Sequence, residues 1–160
     1  MNVAFLCVGG NMGDRLANIL EAKRQLISMG CKMEAESGIY QTMAWGIEEA
    51  PDYYNQMLKI GTEKNGTELM TTLLDIERSM GRIRTDDRNA SRTMDMDILF
   101  FNNEIIKSEL LEVPHPRLHL RRFVLEPLNE IASELIHPVM NKTIHELLKE
   151  CTDTSAVKRL

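Results

Sequence analysis

Arg82-Ile-Arg84-Thr-Asp-Asp-Arg88-Asn-Ala-Ser-Arg92-Thr-Met-Asp95-Met-Asp97-Ile-Leu-Phe-Phe101 runs a loop with four arginines straight into an extended segment that opens on two aspartates. From Met94 the apolar run reads as a strand, bounded by polar loop before it and by Asn102-Asn103 after it. Side chains two apart in a strand share a face, which sets Asp95 and Asp97 side by side, about 7 Å apart. Parallel carboxylates repel one another unless cations lie between them, and Mg²⁺ takes one or two carboxylates together with phosphate oxygens. The arginines suit the same ligand, because a planar guanidinium forks onto phosphate oxygens. The competing reading is a solvated Arg/Asp loop beside a common Asp-x-Asp strand mouth.

Outward from this stretch, the preceding segment traces a helix. Leu69, Met70, Leu73, Leu74, Ile76 and Met80 recur on one face, Asn65 and Glu68 are spaced as a capping box, and Gly81 is the stop. Before it, Tyr53, Tyr54 and Asn55 begin a strand that runs through Ile60, and Cys31, Met33, Ala35, Ser37 and Ile39 alternate with charged residues in a half-buried strand ending near Tyr40. Leu16, Ile19, Leu20, Leu26 and Ile27 mark a first helix closed by Met29-Gly30. Residues 2–8 form a buried first strand that breaks at Gly9-Gly10-Asn11, a turn that lacks the Lys-Ser/Thr of a phosphate-binding P-loop. The order strand, helix, strand, strand, helix, strand defines an α+β class, a ferredoxin-like βαββαβ sandwich with an antiparallel sheet and both helices on one face.

Beyond Phe101 the expected elements decorate that sandwich. Asn102-Asn103 predicts a hairpin into Glu104-Ile105-Ile106, and Pro114-His115-Pro116 is irregular. Phe123, Val124 and Leu125 lie in a helical patch, Thr143 and Glu146 form a second capping box, and the polar tail from Cys151 is expected to be poorly ordered. No repeat or linker divides residues 1–160, so one domain is expected.

Composition narrows the ligand. Hydrophobic residues make up 43% and charged ones 27%, a globular mixture, and a net charge of −5 argues against general nucleic-acid binding. The arginine loop is therefore a local site for a small anion within an acidic chain. Cys7, Cys31 and Cys151 are odd in number and far apart, with no Cys-x-x-Cys spacing for zinc or redox work. With no basic leader and no membrane-length apolar run, a cytoplasmic setting is expected. The loop around Trp45, with Thr42 before it and Tyr53 and Asn55 after it, can hold a flat heterocycle by stacking and edge hydrogen bonds, or the Trp can plug the core edge.

Taken in order, several blocks resemble one family, the 6-hydroxymethyl-7,8-dihydropterin pyrophosphokinases. They are Val8-Gly-Gly-Asn11, Tyr40-Gln-Thr-Met-Ala-Trp-Gly46, Pro51-Asp-Tyr-Tyr-Asn55, Ile76-Glu77 with Gly81-Arg-Ile-Arg84, Arg88 through Arg92-Thr-Met-Asp95-Met-Asp97-Ile98-Leu99, Val113-Pro-His-Pro116, and Arg122-Phe123-Val-Leu-Glu-Pro-Leu128. The resemblance implies transfer of diphosphate from ATP to a hydroxymethyl dihydropterin in folate biosynthesis, by a monomer with no nucleic-acid or membrane partner. It implies two Mg²⁺ ions on Asp95 and Asp97, with Arg82 and Arg92 joining these aspartates in the catalytic set. Arg82, Arg84 and Arg92 fall at phosphate-contacting positions, Glu77, His115 and Arg121 at nucleotide-lining ones, and Arg88 and Ile98 join the ATP-binding set. Tyr53 and Phe123 match a pair that sandwiches the pterin, Thr42 and Asn55 match groups that read its edge, Met43, Ala44 and Trp45 offer backbone contacts, and Asp95 borders the same substrate.

Two departures stand out. Many members carry Trp-Gly-Pro where this chain has Asn89-Ala90-Ser91, so slower loop closure is expected, and Met43-Ala44 replaces a Pro-Pro found in some members. Two rival functions are a catalytic zinc on His115-x-x-x-His119, which needs a helix that Pro114 and Pro116 disfavour, and a small-ligand regulatory module on the same fold.

Overall fold

The computed structural model describes residues 1–43, 51–81 and 93–160. Strand β1 (Asn2–Gly10) is central: it pairs antiparallel with β4 (Tyr53–Thr62) on one side and with β5 (Asp95–Phe101) on the other. Both β2 (Lys32–Glu36) and β3 (Tyr40–Thr42) pair with β4, so together they are one strand interrupted at residues 37–39. At the break Ser37 keeps its place on β4 by donating its backbone N–H to the Met57 carbonyl and accepting the Met57 N–H on Oγ. Counting β2 and β3 as the second strand, the order is fourth, first, third, second, all antiparallel, the ferredoxin-like arrangement.

Alternation along β1 divides the sheet's side chains between two cores. Ala4, Leu6 and Val8 face helices α1 (Arg15–Ser28) and α2 (Gly66–Ser79), with Leu58, Ile60, Met96 and Ile98 beside them. Phe5 and Cys7 face the opposite way, with Met57, Leu99 and Phe100, under α3 (Arg122–Ala132) and α4 (Ile144–Glu150). The chain after Phe101 thus does more than decorate: it builds the second apolar layer that the sheet needs.

In α2 the expected capping box is present, with Asn65 and Glu68 each bonding the other's backbone. Leu69, Leu73 and Ile76 are buried from it, each contributing about 2 kcal/mol of transfer free energy. In α1 the buried stripe is narrower than the apolar pattern suggests. Ile19, Ala22 and Leu26 face the sheet, whereas Leu16, Leu20 and Ile27 lie about 100° round the helix and are exposed.

Three further expectations are corrected. The first strand continues two residues past Val8, because Gly9 and Gly10 remain in register with Asn55 and Tyr54. The Asn102-Asn103 turn forms, but the next strand, β6 (Ile106–Lys107), pairs with β7 (Glu112–Val113) rather than with β5. Asn102 explains this: at φ 50° it bonds to β1 through its N–H on the Val3 carbonyl and its Oδ1 on the Val3 N–H, which directs the chain away from a hairpin. The tail is built into the fold, where β8 (Lys158–Arg159) adds an edge strand to β3.

Candidate active site

Phe5 pairs with Phe100 and Leu6 with Ile98, so Leu99 is an extra residue in β5, a bulge. Below the bulge the alternation aims Asp95, Asp97 and Leu99 at the α3 side of the sheet, while Met96 and Ile98 point to the other core. Register then sets the neighbours: Asp97 lies beside Cys7 on β1, and Gly9 lies between Asp95 on β5 and Asn55 on β4. A side chain at Gly9 would collide with the Tyr54 carbonyl and the Asn55 amide, so the floor of the site depends on glycine there.

Over this floor is a cavity of about 530 Å³, in the usual range for small-molecule sites. Thr42 and Met43 come from the end of β3, Tyr53 and Asn55 from β4, and Asp95, Asp97 and Leu99 from β5. The roof is the segment before α3 and its first turn, with His115, Arg117, Leu120, Arg121, Phe123 and Val124. The Leu99 carbonyl at the bulge accepts the His115 N–H at 2.9 Å, which fastens that roof to the strand bearing the aspartates.

Electrostatics differ between the two sides of the cavity. Burial, then the charges of Arg121 and Arg117, push the His115 imidazole down to about 4, so the ring is neutral at pH 7. Its Nδ1 accepts the Arg117 N–H at 3.3 Å, which puts the proton on Nε2 as a donor. On the floor, burial followed by the Asp97 and Asp95 charges pushes the Cys7 thiol well above its ordinary range, so Cys7 is an inert apolar lining group.

The structure gathers Thr42, Met43, Tyr53, Asn55, Asp95, Asp97, His115, Arg121 and Phe123 around one cavity. Two expected residues are elsewhere. Ile98 is buried in the α1/α2 core, and Glu77 is buried beneath the strand, where its carboxylate accepts the Met96 N–H at 2.7 Å. Ala44, Trp45, Arg82, Arg84, Arg88 and Arg92 lie outside the described residues, as do Asn89-Ala90-Ser91. Sequence reasoning missed Cys7, Leu99, Arg117, Leu120, Val124 and Asp153 as lining residues. Of these, Leu99 had a local signal, sharing its strand parity with Asp95 and Asp97, and Cys7 shared its parity with Gly9. His119 packs edge-on to His137 at 6.4 Å between ring centroids and does not line the cavity.

Fold and site define a ferredoxin-like α+β protein with an acidic floor and aromatic walls around a small-ligand cavity. A family profile described as 7,8-dihydro-6-hydroxymethylpterin-pyrophosphokinase (HPPK) matches residues 5–133. The chain is 36% identical over 146 residues to the folic acid synthesis protein FOL1 of Dictyostelium discoideum, an alignment that covers 91% of this chain and 22% of that protein. It is also 36% identical over 152 residues to the 2-amino-4-hydroxy-6-hydroxymethyldihydropteridine pyrophosphokinase of Aquifex aeolicus, covering 95% of this chain and 94% of that one. Among solved structures, Plasmodium falciparum HPPK-DHPS with pterin and p-hydroxybenzoate shares the fold at TM-score 0.70 and 20% identity, over 93% of this chain and 43% of the other. The chain belongs to the 7,8-dihydro-6-hydroxymethylpterin-pyrophosphokinase family. It spans about a fifth of the length of the Dictyostelium relative and nearly all of the Aquifex one.

Proposed function

We propose that the protein transfers diphosphate from ATP to 6-hydroxymethyl-7,8-dihydropterin, giving the pterin diphosphate and AMP in folate biosynthesis. The observation that carries this reading is the placement of Asp95 and Asp97 on one face of β5, in the same cavity as Tyr53, Asn55 and Phe123, within a chain of this family.

The ring slot follows from side-chain chemistry. Tyr53 and Phe123 supply apolar faces for a flat heterocycle, and Thr42 and Asn55 supply a hydroxyl and an amide for its donor and acceptor edge. Ala44 and Trp45, which follow Met43 in sequence, are assigned to the same slot. Across the cavity, neutral His115 offers its Nε2–H and Arg121 its guanidinium to the nucleotide. Glu77 and Ile98, assigned to the nucleotide side by resemblance, lie beneath the strand, and Glu77 holds the peptide between the aspartates by accepting the Met96 N–H.

The donor set fits magnesium. Two carboxylates two residues apart on one strand face leave the remaining coordination to phosphate oxygens and water, and the described residues contain no group of three His, Cys, Asp or Glu that would form an all-protein cage. Asp95 and Asp97 would hold two Mg²⁺ ions, which when bound neutralise phosphate charge and polarise the β-phosphorus. Arg82, Arg84, Arg88 and Arg92 are assigned to ATP, with Arg82 and Arg92 assigned to stabilise charge on the transferring group. The pterin alcohol oxygen bonds to the β-phosphorus, the bond to the α–β bridging oxygen breaks, AMP leaves, and the alcohol proton is released. Holding attacker and leaving group in line is the main task of these residues.

We assign a monomer working in the cytoplasm, with ATP and the pterin as its partners and no nucleic acid or membrane. Among the described residues Cys7, Cys31 and Cys151 carry free thiols, which suits a reducing compartment. The test is AMP release from MgATP with and without 6-hydroxymethyl-7,8-dihydropterin. Pterin-dependent AMP with stoichiometric pterin diphosphate supports the assignment. Pterin binding without ATP consumption overturns it in favour of a regulatory module.

A further inference from the structure

Residues 151–160 have no part in the transfer described above, yet they bond to both sides of the ring slot. At one end, Asp153 lines the cavity and is fully engaged by protein donors: Oδ2 accepts the Arg122 N–H at 3.0 Å, Oδ1 accepts the Ser155 N–H at 2.9 Å, and its carbonyl accepts Arg122 Nε at 2.7 Å. The residue at the N-cap of α3, Arg121, makes no side-chain capping bond. Asp153 therefore caps α3 from outside, satisfying the first orphan N–H and placing a negative charge at the positive end of the helix. The turn it fixes carries Arg121 and Phe123, one on either side of Arg122, and both line the cavity.

The other end fastens to β3. Arg159 and Lys158 pair with Tyr40 and Gln41 of β3, and the Leu160 N–H donates to the Ile39 carbonyl at 2.9 Å. Arg159 Nε also reaches Glu130 of α3 at 3.0 Å, and the same carboxylate accepts the Tyr40 hydroxyl at 2.7 Å and the Gly38 N–H at 2.9 Å. A single exposed ion pair is worth little alone, but here it closes a ring of bonds through β3, α3 and the tail. β3 runs from these bonds into Thr42 and Met43, which line the slot, and Thr42 is paired in register with Tyr53 on β4.

We infer that residues 151–160 form a strap that sets the separation of the two walls of the ring slot, with Asp153 as its positioning residue. The inference rests on the pterin reading of that slot. Because both Asp153 oxygens are taken by backbone donors, the residue acts through the first turn of α3 rather than on the ligand.

The experiment compares Asp153→Ala, Asp153→Asn and Arg159→Ala with the parent, all in the full chain. Calorimetry gives the affinities for 6-hydroxymethylpterin and for MgATP, and hydrogen exchange reads the amides at 122–125. Loss of a helix cap predicts that Asp153→Ala weakens pterin binding by about fivefold, with a smaller loss for MgATP and faster exchange at 122–125. Asp153→Asn keeps one carbonyl-type acceptor for the Arg122 N–H and should recover most of that loss. Arg159→Ala, at the exposed end, should weaken pterin binding by about twofold. Parent-like pterin affinity in Asp153→Ala overturns the strap, as do equal losses for pterin and MgATP or an Asn variant no better than Ala. Should Asp153→Ala not fold, parent-like pterin affinity in Arg159→Ala overturns it. A parent that binds no pterin overturns the proposed function instead, and unaltered exchange at 122–125 in Asp153→Asn and Asp153→Ala then refutes the strap independently.

Discussion

Glu77, near the end of α2, accepts the backbone N–H of Met96 at 2.7 Å, and Met96 is the residue between the two aspartates of the site. A buried carboxylate on the helix side thus fixes the peptide whose flanking side chains emerge on the cavity side. Glu77→Ala leaves that N–H without its acceptor and should cost about 1–3 kcal/mol of stability in urea unfolding, together with turnover. Glu77→Gln retains an acceptor oxygen and should recover much of both. An alanine variant with parent stability and parent turnover would show that the bond does not position the strand.

Replacing Asp95 or Asp97 by Asn conserves shape and removes one charge from the floor. Because both side chains face the cavity and not a core, thermal stability without ligand should change little. Diphosphate transfer should fall on the order of 10³-fold or more, equivalent to ~4 kcal/mol of transition-state stabilisation. Single-turnover transfer across a magnesium titration reads this, and parent rates at the parent magnesium midpoint in both variants would remove the aspartates from the mechanism.

Phe123 stands in the first turn of α3 and presents its ring to the cavity, with the Arg121 guanidinium 5.7 Å from its centroid. Phe123→Ala should weaken pterin binding by ~1–3 kcal/mol through lost stacking and apolar contact, with MgATP affected much less. Calorimetric losses of equal size for the two ligands would contradict its assignment to the ring slot.

His115 links the site to acid stability. Its folded-state pKa is about 4 against an ordinary 6.5, so between those values the unfolded chain binds the extra proton and the folded chain does not. Stability should therefore rise with pH from about 4 to 6.5 and be independent of this group above that range. The contribution lost on acidification is on the order of 1–3 kcal/mol. His115→Asn should flatten the melting-temperature profile across this window, and an unaltered slope would assign the acid sensitivity to other groups.

Much of the sandwich was legible because its signals are local. The capping boxes at Asn65/Glu68 and Thr143/Glu146 each lie within four residues, and the parity of Asp95 and Asp97 follows from two-residue spacing. What stayed hidden depends on partners far along the chain. Asp153 acts on Arg122, 31 residues away, and the polar composition of the tail gives no hint of a strand on β3. The exposed leucines of α1 were misleading for a related reason, since periodicity marks apolar positions but the sheet chooses which of them it covers.

The bulge at Leu99 divides β5 into two segments with separate phase. Deleting the extra residue itself would restore regular alternation, leaving Asp95 and Asp97 on the cavity side and Phe100 and Phe101 in their own pockets. The bulge is thus a frame-shift joint: the end of the strand that anchors Asn102 on β1 and the end that carries the chemistry can vary in length without corrupting one another.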